Sequence, residues 1–168
     1  MFRRKGEVVC GGHDRPGRVG KGRSLLTRGR GHGIERETAH LVRRFYDEIW
    51  NSGDRGAVYR LLAPDIRFRG SLGSEMVGHE AFWDYVCHVR GSLANYRCEI
   101  VELLCEGGSA AARMIFSGVH VGQFLGTMPA GSHVQWAGAA FFHLRGARIS
   151  SVWVLGDLDA LRRQLLRP

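Results

Sequence analysis

Four consecutive strand-like segments in the second half of the chain limit its possible folds more than any other sequence feature. They cover residues 96–105, 110–121, 134–144 and 148–155, and glycine-containing turns separate them. Strands that follow one another without an intervening helix form antiparallel meanders, whereas a parallel βαβ sheet needs a helix in each crossover. The sequence therefore predicts an antiparallel sheet and excludes a parallel βαβ architecture.

Amphipathic helices precede this sheet. Apolar residues recur at helical spacing in residues 35–51, and Asn51-Ser52-Gly53 is expected to end that helix. Asp54 is the expected N-cap of a short second helix, which Pro64 stops. A brief strand over residues 66–69, a third helix over 79–89 and a terminal helix over 159–166 complete the prediction. Helices followed by a meander indicate an α+β fold.

The positive charge is concentrated at the amino terminus. The 168 residues carry a formal charge of +8, but residues 1–34 contain nine basic and two acidic side chains, and the remainder is close to neutral. Residues 1–33 also contain nine glycines and no apolar periodicity, a composition typical of disorder. We therefore predict a disordered basic arm over residues 1–33 and one domain over residues 34–168. The arm is interpreted as an inert tail or an over-extended start, with a targeting role or non-specific contact with nucleic acid as alternatives.

Cysteine and histidine spacing predicts neither disulfides nor a metal site. The four cysteines form no C-x-x-C pair, and the eight histidines show no zinc-binding spacing. Apolar runs near the amino terminus are too short for a signal peptide or a membrane span. We expect a cytoplasmic protein with reduced thiols, no metal and no membrane association.

Strand alternation places a few polar side chains on otherwise apolar faces. Period 2 puts His120 in phase with Met114 and Phe116, while Gln135 shares a face with Phe141, and Asp157 follows in the phase of Trp153. The sequence does not decide which of these faces is concave.

Two blocks of sequence resemble the SnoaL-like polyketide cyclases of the NTF2-like superfamily. Residues 116–131 read FSGVHVGQFLGTMPAG, similar to the family pattern F-x-G-x-H-x-G-x-F-x-G followed by P-x-G. Residues 136–142 read WAGAAFF, and the segment WVLGD follows at residues 153–157. The resemblance covers residues 35–166, which is all of the organised chain.

The resemblance implies a cone: a curved antiparallel sheet and three N-terminal helices that enclose a pocket, usually in a homodimer. It also implies a cofactor-independent intramolecular aldol condensation, in which a buried aspartate moves a proton on a carbon flanked by two carbonyls. The matching aspartate is Asp157, and the motif histidine is His120, which would donate a hydrogen bond to the enolate or orient Asp157. The implied ligand is a small hydrophobic carbonyl compound.

Five further residues are the predicted substrate contacts. Trp153, Phe141 and Phe116 would supply apolar walls, Gln135 would orient the substrate, and His79 would lie at the pocket mouth. The sequence departs from the family pattern at Ser151-Val152, where many members have Glu-His, so one candidate proton-transfer partner of Asp157 is absent.

Each assignment has a structural alternative. Asp157 lies directly before the terminal helix and is also a candidate N-cap, while His120 and Trp153 are also candidate core residues. The predicted function is therefore a cyclase or related carbon-acid enzyme. The alternative is a small-molecule-binding or dimerisation module on the same fold, without catalysis.

Overall fold

A computed structural model describes residues 28–166 of the chain. The predicted arm lies mostly outside these residues, because residues 1–27 are not described. In the described part, α1 (Arg28–Arg44) runs directly into a π-helical segment (Phe45–Asn51), and α2 (Arg55–Leu61) and α3 (His79–Ser92) follow. The fourth helix, α4 (Leu158–Leu165), comes after the sheet. The resemblance implied three amino-terminal helices, whereas the described residues form four helices in total. None of these helices is long and apolar enough to cross a membrane.

The π-helical segment turns two adjacent pairs of large side chains toward the core. Phe45, Tyr46, Ile49 and Trp50 are all buried. Hydrogen bonds in a π-helix run between residues five apart, so residues four and five apart share one side of the helix. This local geometry gives a seven-residue segment four buried side chains.

The predicted cap of α2 is confirmed. The Asp54 carboxylate accepts a hydrogen bond from the Gly56 N–H at 2.7 Å. The helix ends at Leu61, and the first strand begins at Leu62, so Pro64 lies inside that strand rather than directly after the helix.

The sheet has six strands in the spatial order β2-β1-β6-β5-β4-β3. Their bounds are β1 Leu62–Arg69, β2 Glu75–Val77, β3 Leu93–Glu106, β4 Ser109–His120, β5 His133–Arg145 and β6 Arg148–Gly156. The four predicted strands of the meander, β3 to β6, pair antiparallel as expected. The prediction of a wholly antiparallel sheet is wrong at one position, because β1 pairs with β6 in parallel. That pairing brings the segment after α2 beside the last strand.

Helices α1 to α3 cover one side of the curved sheet, which we call the inner face. Met114, Phe116 and His120 of β4 lie on it, as do Trp136 and Phe142 of β5, and all are buried. The opposite side, the outer face, carries Phe141, Trp153 and Leu155, which are exposed. The inner face therefore carries the even-numbered residues of β4, β5 and β6.

Candidate functional site

An inner cavity lies between the helices and the inner face. It encloses about 30 Å³, roughly the volume of one water molecule. A ligand larger than water therefore requires lining side chains to move. Leu72 of the lining lies in the turn between β1 and β2 and is only half-buried. The lining residues are Phe45, Tyr46, Trp50, Phe68, Gly70, Ser71, Leu72, Tyr85, Val89, Tyr96, Cys98, Phe116, Phe124, Trp136 and Val154.

Two polar groups of the cavity wall have no hydrogen-bond partner. The Tyr46 hydroxyl and the Trp136 indole Nε1–H are buried, and no group among residues 28–166 bonds to either. Leaving a buried donor unsatisfied costs about 1–3 kcal/mol. Tyr46 comes from the π-helical segment and Trp136 from β5, so one donor belongs to the helical wall and one to the sheet wall.

The other two tyrosine hydroxyls of the lining have polar groups beside them. The Tyr85 hydroxyl lies beside the Ser71 side chain and the Leu72 backbone, and the Tyr96 hydroxyl lies beside the Cys98 thiol. Tyr85 therefore places α3 next to the turn that carries Leu72.

Burial raises the pKa of every titratable group that lines the cavity. It raises the pKa of Tyr85 from 10.0 to about 12 and that of the Cys98 thiol from 9.0 to about 12. Burial also raises the pKa values of Tyr46 and Tyr96 well above 10.0. All four groups are protonated at neutral pH, and the described lining contains no carboxylate, imidazole, lysine or arginine. The cavity is apolar, with neutral hydrogen-bonding groups.

Two glycines leave room for the aromatic side chains of the sheet wall. A Cβ at Gly138 would lie 2.5 Å from the Phe116 ring and 2.5 Å from the Leu155 carbonyl oxygen. A Cβ at Gly156 would lie 3.1 Å from the Trp136 Nε1. All three distances are shorter than ordinary van der Waals contact, so the positions of Phe116 and Trp136 depend on these glycines.

Asp157 lies outside the inner cavity. Its carboxylate accepts a hydrogen bond from the Ala160 N–H at 2.9 Å and caps α4, which is the structural alternative that the sequence left open. The side chain is exposed and borders an open groove on the outer face, together with Ala137, Ala139 and Leu155. The prediction that Asp157 is buried in the pocket beside His120 is wrong in this structure, because the helix cap holds the carboxylate on the other side of the sheet.

His120 is fully buried, and it does not line the inner cavity. Neither ring nitrogen has a hydrogen-bond partner among the described residues. Its backbone is fixed instead: the His120 N–H donates to the Ser132 carbonyl and the His120 carbonyl accepts from the Gly131 N–H, each at 2.9 Å. The histidine therefore ends β4 in the core, at the start of the loop between β4 and β5.

Trp153 and Phe141 form an aromatic pair on the outer face. Their ring centroids are 5.9 Å apart, and the Arg69 guanidinium lies 5.0 Å from the centre of the Trp153 ring, a cation–π distance. Phe141 also lines the outer groove, whose volume is about 550 Å³. Neither residue reaches the inner cavity.

Of the other predicted contacts, only Phe116 lines the inner cavity. The Gln135 side chain is exposed on the outer face, and its backbone N–H and carbonyl are held by the Gln164 side chain at 2.9 and 2.7 Å. His79 begins α3, contacts the Leu62 carbonyl at 3.2 Å and packs edge-on against Tyr59, with ring centroids 4.9 Å apart. Gln135 and His79 are therefore placed elsewhere than predicted.

Strand register explains why the predicted residues separate. Phe116 lies opposite Trp136, and Ser117 lies opposite Gln135. Directly opposed residues of an antiparallel pair point to the same side of the sheet. His120 therefore shares a face with Trp136, whereas Gln135, Trp153 and Asp157 belong to the other face.

The cavity residues that the sequence analysis missed are mostly aromatic. Tyr46 and Trp50 belong to the helical apolar pattern of residues 35–51, and Trp136 begins the WAGAAFF block. A buried tyrosine or tryptophan carries a polar atom that needs a partner, and this property was the available signal. Tyr85 and Cys98 had no distinguishing pattern.

The described residues offer no metal site. Within residues 28–166, no three His, Cys, Asp or Glu side chains lie close enough together to hold a metal ion. Cys87, Cys98 and Cys105 are free thiols, and Cys10 lies outside the described residues.

Comparison with known proteins points to one family. A family model described as SnoaL-like polyketide cyclase matches residues 40–165. A SnoaL-like protein from Jannaschia sp. CCS1 is 21% identical, with a TM-score of 0.74 over 89% of this chain and 99% of that one. TsrD from Streptomyces laurentii is 25% identical, with a TM-score of 0.70 over 78% of this chain and 96% of that one.

A protein from Catenulispora acidiphila with a ketosteroid isomerase-like fold, in complex with trimethylamine, is 19% identical. Its TM-score is 0.66 over 76% of this chain and 93% of that one. Among curated proteins, none matches the chain.

Proposed function

Because the chain belongs to the SnoaL-like polyketide cyclase family, we propose that it binds a small, uncharged carbonyl compound in the inner cavity and catalyses a cyclase- or isomerase-type reaction of it. The cavity carries this proposal. It lies between the helices and the sheet, its lining is largely aromatic, and it presents a few neutral hydrogen-bonding groups, the combination typical of small-molecule sites.

Ligand entry requires the cavity to widen. Drug-sized ligands occupy sites of roughly 300 Å³ or more, and the closed cavity holds about a tenth of that volume. The Tyr85 hydroxyl places α3 next to the turn between β1 and β2, and an outward movement of Leu72 would open the wall on that side. We therefore propose that this turn admits the ligand.

The proton transfer in such a reaction needs an acid or base, and Asp157 is the carboxylate that the family resemblance assigns to it. A desolvated carboxylate beside the ligand would take a proton from a carbon activated by carbonyls. Asp157 caps α4 outside the closed cavity, so this role requires the carboxylate to reach the ligand when the cavity is open. We propose that Asp157 takes this role in the open state; His120, which the resemblance assigns as its helper, lies on the other face of the sheet.

The second candidate function is ligand binding without catalysis. One observation favours it: the described lining of the cavity holds no group that exchanges a proton readily near neutral pH. The same fold would then serve as a small-molecule-binding module.

Cavity binding is tested with a panel of small aromatic ketones. Trp50 and Trp136 line the cavity, so a bound ketone should quench tryptophan emission. The cavity-filling variant Val154→Phe should remove this quenching, because Val154 lines the cavity. Leu155→Phe enlarges the neighbouring residue on the outer face and is the matched control. Equal quenching of the two variants would exclude the cavity as the site.

Catalysis is tested on a ketone that binds. Asp157→Asn keeps a side chain that caps a helix equally well but cannot accept a proton. Loss of product formation, with ligand affinity unchanged, supports the acid–base role of Asp157. Undiminished product formation removes that role, and absence of product from the wild-type protein favours the binding module.

We also propose a homodimer formed through the outer face. Four large apolar side chains are exposed there: Leu104 by 64%, Phe141 by 46%, Trp153 by 39% and Leu155 by 52%. An apolar patch of this kind marks an interaction surface. Between Leu104 and Leu155, the outer groove is lined by small residues such as Ala111, Ala137 and Ala139. The large side chains of a second copy can therefore fit into it. Glu102 and Arg113, 3.4 Å apart, supply charges of both signs at the rim.

A further inference from the structure

Two groups in the inner cavity are donors that the protein leaves unsatisfied. The Tyr46 and Trp136 side chains are only 3% and 4% exposed, and neither the Tyr46 hydroxyl nor the Trp136 Nε1–H has a protein partner among residues 28–166. On the protein surface, water would accept hydrogen bonds from both groups. Both residues line one cavity, and an acceptor on a bound ligand would remove the cost of leaving these donors unsatisfied.

The setting of each donor is fixed. The Tyr46 ring packs edge-on against Phe45 and Phe142, with ring centroids 5.1 and 5.9 Å apart. The Trp136 ring packs against Phe116 at 5.5 Å, and its Nε1 lies against Gly156, where a Cβ would come within 3.1 Å. Neither ring can turn away without displacing its neighbours, so both donors are held ready for an acceptor.

The charge of the cavity lining also favours an uncharged ligand. No cationic side chain belongs to its described lining. The Arg90 guanidinium lies nearby, but it donates to the Trp50 and Asn51 carbonyls. A carboxylate buried without a cation loses its hydration without compensation, whereas a ketone oxygen needs only a donor.

We infer that Tyr46 and Trp136 determine ligand specificity, by donating hydrogen bonds to the oxygen atoms of an uncharged apolar ligand, and that the cavity rejects carboxylates of the same size. This inference rests on the proposed function, since it concerns the ligand of the same cavity. It adds which side chains donate hydrogen bonds to the ligand, and that the cavity excludes a negatively charged ligand. Because both groups stay protonated at neutral pH, they act as donors over the whole physiological range.

The test uses three probes of matched size: 2-acetylnaphthalene, 2-isopropylnaphthalene and 2-naphthoate. Affinities are measured for the ¹⁵N-labelled full chain by titration, with the tryptophan indole N–H resonances as a second readout. The variant Trp136→Phe assigns the Trp136 signal. We expect the ketone to bind at least about tenfold more tightly than the hydrocarbon, as two hydrogen bonds would give, and the carboxylate to bind most weakly. Only the ketone should shift the Trp136 indole signal downfield.

The variants Tyr46→Phe and Trp136→Phe should each weaken ketone binding by about two- to tenfold, the value of one hydrogen bond. Tyr46→Phe should leave hydrocarbon binding unchanged, because only the hydroxyl is removed. Tyr59→Phe is the matched control, since the exposed Tyr59 hydroxyl bonds to Glu80 outside the cavity.

The outcomes separate the two proposals. Equal affinities for the ketone and the hydrocarbon, or tightest binding of the carboxylate, would overturn the inference while cavity binding stands. Absence of binding by all three probes would overturn the inference together with the proposed cavity site. Unaltered ketone affinity in Tyr46→Phe would remove Tyr46 from the recognition of the ligand.

Discussion

At the scale of single residues, the Asp157 carboxylate has one bonded partner, the Ala160 N–H, and a place at the rim of the outer groove. Its backbone N–H also donates to the Ala137 carbonyl at 2.9 Å. Asp157 therefore couples the end of β6 to the start of α4. A structural role of this kind can be measured separately from any role in catalysis.

Asp157→Ala should lower the free energy of unfolding by about 1 kcal/mol, because the first turn of α4 loses its cap. Asp157→Asn should leave that free energy within about 0.5 kcal/mol of wild type, since asparagine caps as well as aspartate. Urea denaturation followed by circular dichroism measures both. An unchanged stability of Asp157→Ala would contradict the capping role.

The buried thiol predicts a loss of stability at alkaline pH. The pKa of Cys98 rises from 9.0 to about 12 on folding, so between these values the unfolded chain releases a proton that the folded chain keeps. The free energy of unfolding must therefore fall as pH rises above 9, by at most about 1.4 kcal/mol per pH unit for this group. Tyr85, whose pKa is raised from 10.0 to about 12, adds to the fall above pH 10.

Cys98→Ala should flatten this pH dependence between pH 9 and 10, as measured by urea denaturation under reducing conditions. Cys87→Ala, which removes an exposed thiol, is the control. If both variants show the same slope as wild type, burial of the Cys98 thiol is not its cause.

Single-residue roles were the part of the site that could least be predicted from the sequence. The pattern W-x-x-x-D locates Asp157 equally well on a pocket wall and at a helix N-cap, since both need a carboxylate directly after β6. The choice between these two roles depends on the side of the sheet on which the Asp157 side chain lies after the end of β6. That side follows from packing against the helices, which no local pattern encodes.

At the scale of secondary-structure elements, the sequence carries most of the information. The meander strands begin and end within three residues of their predicted bounds, because alternation and glycine turns are local signals. The parallel pairing of β1 with β6 was missed because it joins residues far apart in the chain. The predicted contacts were drawn from both faces of the sheet, since a strand's register with its neighbour decides which residues share a face and alternation within one strand does not.

Glycine positions within the elements give a paired prediction. Gly138→Ala should lower the free energy of unfolding by about 1–3 kcal/mol, because its Cβ would collide with the Leu155 carbonyl and the Phe116 ring. Gly91→Ala, near the end of α3, meets no atom within 4 Å and should raise that free energy by about 0.5–1 kcal/mol. Thermal denaturation of both variants measures the contrast. A stabilised Gly138→Ala would show that the sheet has room at this position.

At the scale of the whole molecule, the proposed homodimer depends on the outer face. Phe141→Glu should dissociate the proposed homodimer, because a charge within the apolar patch opposes its burial. Met128→Glu places the same charge on another exposed apolar residue, in the loop between β4 and β5, and is the control. Sedimentation equilibrium reports the masses of both. A wild-type monomer at micromolar concentration, or a Phe141→Glu dimer, would contradict the proposed interface.

The parallel pair β1–β6 has a consequence for the order in which the molecule forms. Phe68 of β1 lies opposite Val152 of β6, so the ribosome must release the whole meander before β1 finds its second neighbour. The hairpin of β1 and β2 can form early, but its docking waits for the last strand. Contacts of such long sequence separation slow folding. Until then helices α1 to α3 keep apolar surface exposed, and such surface makes an incompletely folded chain prone to aggregation.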